Sequence, residues 1–150
     1  MPFIQIYIHI VFSTKDRYPF LKTPELRQQV WKHIHENARS KGIHIDFING
    51  YAEHCHILLS LSSEQSLSKT IQLIKGESSF WINQNKLTSS KFEWQNDYFA
   101  VSVSDSILNK VRSYIARQEE HHKFKSFNDE YEEFINSFQI QNKPNVLTQQ

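Results

Sequence analysis

A chain of 150 residues, 39% of them apolar and 22% charged, has room for one hydrophobic core and has the balance of an ordinary soluble globular protein. The net charge near +1 neither announces nor excludes a nucleic-acid partner, because a local basic patch matters more than the total. The single cysteine, Cys55, rules out an internal disulfide, and no apolar run approaches the ~20 residues that span a membrane.

Residues 3–12 alternate strictly, Ile4, Ile6, Ile8, Ile10 and Phe12 against Phe3, Gln5, Tyr7, His9 and Val11. Such alternation predicts a strand with one aliphatic and one mixed face. Residues 13–22 form a polar loop carrying Lys15, Arg17 and Lys22. Thr23-Pro24-Glu25 is a helix start, with a capping hydroxyl, a proline at the first helical position and an acid near the positive dipole end. Leu26, Val30, Trp31, Ile34 and Ala38 continue it at helical spacing, and Gly42 suits a left-handed cap. A second strand is expected over 43–49, a hairpin turn at Asn49-Gly50, and a third strand over roughly 52–61. Ser66 can cap a helix of about 67–84, and residues 85–97 read as polar and irregular. A fourth strand (98–104), a helix (106–120), a last amphipathic helix (128–138) and a loose tail (142–150) complete the chain. The order β-α-β-β-α-β makes this an α+β protein, a ferredoxin-like split βαβ antiparallel sheet with additional C-terminal helices. One domain over 1–150 is expected, with the first and third strands adjacent and the helices on one face. The N-terminus lacks the basic region and cleavage site of a signal peptide, so the reading is cytoplasmic, with no membrane partner.

The third strand holds Glu53-His54-Cys55-His56. Side chains alternate along a strand, so His54 and His56 point the same way and both can reach one small ion. A pair of polar surface histidines beside a buried thiol satisfies the same pattern. In either case His54 is expected outside the core. Cys55 faces away from both imidazoles, so neither can serve as the base of a cysteine nucleophile. In the 106–120 helix, Ile107, Val111, Tyr114, Ile115 and Gln118 share one stripe, and Tyr114 neighbours Gln118 at i,i+4. Alone, that stripe also fits a core helix with a buried tyrosine.

Taken together, His54-Cys55-His56 followed by Tyr114-Ile115-Ala116-Arg117-Gln118 on a chain of this order resembles the single-tyrosine HUH transposases of the insertion-sequence 200/605 class, which include REP-associated tyrosine transposases. More of the sequence agrees: His9-Ile10-Val11-Phe12-Ser13-Thr14-Lys15 with Arg17, Gly50-Tyr51-Ala52-Glu53, Ile74-Lys75-Gly76 and Trp94-Gln95-Asn96-Asp97-Tyr98-Phe99. The likeness covers about residues 5–138. It departs at Glu53, where an Asp is expected, at Asn96-Asp97, where a Gly often stands, and at Cys55, smaller than the usual aliphatic residue.

The resemblance implies a transposase that cleaves and rejoins single-stranded DNA, with hairpin ends of a mobile element as substrate. It implies Tyr114 as nucleophile, a 5′-phosphotyrosine intermediate, and a divalent ion, Mg2+ or Mn2+, on His54, His56 and Gln118. His121 and His122 are the substitutes for Gln118 as third ligand. Lys15, Arg17 and Lys75 become candidates for phosphate contact. A homodimer is also implied, whose tyrosine helix can complete the partner's site, and the apolar stripe of that helix is expected to need such a surface. Three alternatives stand beside this: a domesticated nuclease that processes repeat hairpins without transposing, a non-catalytic single-strand-binding module, and a structural scaffold that has lost catalysis.

Overall fold

The structure is a computed structural model that describes residues 3–121 together with Asp129, Glu132, Glu133 and Asn136. Contacts divide the chain into two compact units, Met1–Gln118 and Glu119–Gln150. In the second, Asp129, Glu132, Glu133 and Asn136 are helical and exposed. The rest of the helix expected over 128–138, and the tail at 142–150, lie outside the described residues.

The first unit carries β1 (Ile6–Ser13), α1 (Pro24–Ser40), β2 (His44–Tyr51), β3 (His54–Leu61), α2 (Leu67–Gln84), β4 (Phe99–Val103) and α3 (Leu108–Ala116). The sheet order is β2-β3-β1-β4, antiparallel throughout, as a split βαβ arrangement requires. Both long helices start where their caps lie. Thr23 Oγ1 accepts from the Leu26 N–H at 3.1 Å, and Ser66 Oγ accepts from the Lys69 N–H at 3.3 Å. Gly42 adopts φ +74° after α1, the left-handed conformation that glycine tolerates best.

The hairpin turn falls three residues later than expected. Asn49 and Gly50 lie inside β2, and the chain reverses at Ala52-Glu53. Gly50 is there for space: a Cβ would sit 2.3 Å from the His54 carbonyl oxygen and 2.8 Å from Trp31 Cζ2. The glycine marks a close approach rather than a turn.

The expectation of helices on one face also needs correcting, since both faces are covered. On one, Ile10, Phe12, Cys55, Ile57 and Leu59 pack with Val30, Trp31 and Ile34 of α1 and with Ile71 and Ile74 of α2. On the other, α3 lies across β2 and β3, burying Leu108, Val111 and Ile115. A bulge in β2 serves both layers. The register shifts between Ile45 and Phe47, so Ile45 and Ile48, three apart, both face the α1–α2 core. Asp46, the extra residue, meets Arg112 of α3 through two hydrogen bonds of 2.8 and 2.7 Å.

Candidate metal centre and tyrosine helix

Central strands β1 and β3 bring three histidines onto the face beneath α3. Register pairs Val11 with His56 and Ser13 with His54, and His9 lies diagonally from His56. All three imidazoles are buried, with exposures of 0% for His9, 0% for His54 and 2% for His56. His54 is therefore in the interior, contrary to the expectation that it lies outside the core. That expectation assumed an open sheet face, and α3 closes it.

Each proposed ligand histidine is tied through its Nδ1. His54 Nδ1 lies 3.0 Å from Glu53 Oε1, and His56 Nδ1 lies 3.0 Å from His9 Nε2. The opposite edge of His54 faces α3's end: its Nε2 is 2.9 Å from Gln118 Oε1. The Gln118 amide is oriented by its own NH2 group, which donates to the Tyr114 carbonyl at 3.2 Å. Gln118 follows Arg117, where the backbone leaves the helical region at φ −94°, ψ 15°, so the helix expected over 106–120 is interrupted just before it. The Tyr114 ring sits edge-on to both neighbours, 5.6 Å from the His56 centroid and 6.3 Å from that of His9. Burial pushes the His9 imidazole down to about 3, so it is neutral near pH 7.

Two observations test whether a divalent ion suits this site. With His54 Nδ1 facing a carboxylate and Gln118 presenting its carbonyl, Nε2 and Oε1 converge as two lone-pair atoms, an arrangement relieved by a cation or a proton between them. Their 2.9 Å separation is short enough for both atoms to reach one small ion. Among the described residues no three His, Cys, Asp or Glu side chains are grouped as a metal site, so a set here depends on the Gln118 amide oxygen. His54 Nε2 and Gln118 Oε1 thus fit a hard, oxygen-tolerant ion, with the His56 ring beside His54 at 4.9 Å between centroids.

Three other tyrosines are placed differently from Tyr114. Tyr7 shares the mixed face but pairs with Ser60, four residues and about 13 Å along β3 from His56. Tyr18 and Tyr98 are exposed, at 46% and 41%. Cys55 is fully buried on the opposite face, and burial raises its thiol pKa well above the usual value, which disposes of it as a nucleophile.

Two of the basic candidates line a cleft whose walls hold none of the three histidines. These are Lys15 and Lys75, in a cleft of about 600 Å³ with Trp94, Gln95, Asn96 and Tyr98. Lys15 is exposed and paired to Glu93 at 3.1 Å. The Lys75 ammonium donates to the carbonyls of Gln95, Asn96 and Asp97, and burial lowers its pKa against a smaller rise from Asp97. Arg17 follows Asp16 in the left-handed region, both at φ 56°, an uncommon conformation for side chains of this kind. His121 is helical, but its side chain and all of His122 lie outside the described residues.

Two residues of this face were missed in the sequence. Alternation placed His9 on the mixed face, but only the β1–β3 register brings it to His56. Asn49 donates from Nδ2 to the Ile115 and Ala116 carbonyls at 3.0 and 3.2 Å, capping the end of α3.

A ferredoxin-like sheet with a His-x-His pair on central strand β3, faced by a helix bearing a tyrosine and by the glutamine just past its end, defines a candidate phosphodiester-processing site. Residues 3–118 match the profile of the family described as "Transposase IS200 like". The chain belongs to this family of IS200-like transposases, and the matched span ends at Gln118. Two solved structures share the fold. One is a candidate transposase from Deinococcus radiodurans R1, with TM-score 0.61 and 17% identity over 78% of this chain and 93% of that one. The other is a REP-associated tyrosine transposase bound to a REP hairpin, with TM-score 0.61 and 16% identity over 83% of this chain and 73% of that one. No curated protein matches the chain. Among the described residues no helix is long and apolar enough to cross a membrane.

Proposed function

We propose that this transposase cleaves and rejoins single-stranded DNA through a covalent 5′-phosphotyrosine on Tyr114, with Mg2+ or Mn2+ held by His54, His56 and Gln118. The observation that carries this reading is the meeting of all four residues within one chain, Gln118 Oε1 at 2.9 Å from His54 Nε2 and Tyr114 edge-on to His56. The ion, when bound, supplies charge stabilisation at the scissile phosphate.

Tyr114 provides the nucleophile. Its phenolic oxygen forms a bond to phosphorus as the bond from phosphorus to the 3′ oxygen breaks. The phenol loses its proton and the departing 3′ oxygen gains one. Bond energy is kept in the phosphotyrosine, so a 3′ hydroxyl from another end can reverse the step without an external energy source. Gln118 couples the two functions, because its amide is hydrogen bonded to the Tyr114 backbone while its oxygen faces His54. Glu53 orients His54 from the opposite side.

The substrate in this reading is a DNA hairpin at an element end, supported by the REP hairpin bound to the structural relative. Lys15, Arg17 and Lys75 are assigned to the DNA path, Lys75 by holding residues 95–97 in place as well as by its charge. The working form is a homodimer in the cytoplasm, on the strength of the family. The α3 stripe gives no ground for the dimer, because Leu108, Val111 and Ile115 are buried within the chain itself.

Short single-stranded hairpins incubated with the protein and Mn2+ should give a denaturant-stable adduct whose phosphate maps to Tyr114 by peptide mass spectrometry. Tyr114→Phe should bind the hairpins with wild-type affinity and form no adduct. A DNA phosphate on Tyr7, or on any side chain but Tyr114, would overturn the assignment.

A further inference from the structure

The β1 strand places a wholly buried imidazole, His9, against the outer nitrogen of a proposed metal ligand, and catalysis as described makes no use of it. A hydrophobic residue would fill the same volume without bringing a polar ring into the fully buried layer under α3. The two ring nitrogens, His9 Nε2 and His56 Nδ1, lie 3.0 Å apart, so one hydrogen sits between them.

We infer that His9 is a positioning residue that accepts this hydrogen and thereby fixes His56 as the Nδ1–H tautomer, leaving its Nε2 lone pair for the ion. The inference rests on the metal-site reading above. Its logic is that of Glu53 on the neighbouring ligand. A carboxylate can only accept, so His54 must present Nε2 inward. On His56 the Nδ1 partner is an imidazole delivered by the adjacent central strand. A donating partner would leave His56 protonated on Nε2 and unable to ligate. The choice of a neutral acceptor also fits the location, since a carboxylate in that fully buried spot would bring an uncompensated charge under α3. Packing reinforces the geometry: the His9 and His56 rings are tilted by 30° with centroids 5.2 Å apart, and Tyr114 closes over both.

The test uses the full-length protein without DNA. Long-range nitrogen–proton NMR of the metal-free protein should show His56 protonated on Nδ1; a wild-type Nε2–H tautomer would overturn the inference. Mn2+ titration followed by electron paramagnetic resonance should then show at least a tenfold loss of affinity in His9→Leu, within the roughly 10–100-fold range typical of outer partners of ligand histidines. His9→Gln, which restores an acceptor oxygen, should recover most of it, and so separates hydrogen bonding from folding defects. Equal Mn2+ affinity in wild type and His9→Leu, with His54→Ala reduced, would defeat the role of His9 while leaving the metal site standing. Absence of Mn2+ binding in the wild type, or equal binding in wild type and His54→Ala, would remove both.

Discussion

At the scale of the residue, burial changes what a ligand substitution does. His54 is 0% exposed and touches both Glu53 and Gln118, so its removal empties a closed site. His54→Ala should abolish ion-dependent cleavage and also destabilise the protein by about 1–3 kcal/mol, the usual range for deleting a buried, hydrogen-bonded side chain. Denaturant unfolding without added metal, beside a cleavage assay in Mn2+, separates the two effects. Undiminished cleavage would refute the ligand role, and an unchanged midpoint would refute the packing one. Glycine and cysteine give two further lessons at this scale. Gly50 excludes a side chain because Trp31 and the His54 carbonyl occupy its Cβ position, a tertiary reason that no local pattern carries. Cys55 needed only strand alternation to be set aside, and its burial agrees.

At the scale of the element, the tyrosine helix is held by two fastenings from β2. The bulge at Asp46 gives Arg112 a bidentate carboxylate, and Asn49 caps the last carbonyls of α3. The Arg112 pair is partly exposed and so worth little alone. Asn49 is 9% exposed, and losing its two bonds should cost about 1–2 kcal/mol. Asn49→Ala is therefore expected to speed amide exchange in α3 about tenfold while β1 and β3 keep their protection, since 1.4 kcal/mol is a factor of about ten. Hydrogen-exchange mass spectrometry checks this, and uniform acceleration across the sheet would assign Asn49 to the whole fold instead. Elements with a strong period were legible in the sequence: α2 was expected at 67–84 and spans Leu67–Gln84, and β4 was expected at 98–104 and spans Phe99–Val103. The docking surface of α3 was not. Period shows which stripe is apolar but not what covers it, and the bulge that turns Asp46 toward Arg112 has no local signature. The same gap hid His9, whose neighbour is set by strand register rather than by spacing.

At the scale of the whole molecule, the question is whether one chain holds a complete site. Tyr114, Gln118, His54 and His56 assemble within the unit Met1–Gln118, and α3 is joined to that unit's own sheet by Asn49, Asp46 and the buried Val111 and Ile115. Exchanging α3 with a partner would break these contacts and reform them in the other chain, a transfer with little net energy but a substantial barrier. Dimerisation and sharing of sites are therefore separate properties. A dimer can form through other surfaces while each chain keeps its own tyrosine. Mixing His54→Ala with Tyr114→Phe chains should then give no more cleavage than either alone, even after long incubation at micromolar concentration. Light scattering on the same mixture reports whether dimers are present. Recovered cleavage in the mixture would show instead that the helix carrying Tyr114 crosses to the partner during the reaction, and that the closed arrangement is one of two that the chain adopts.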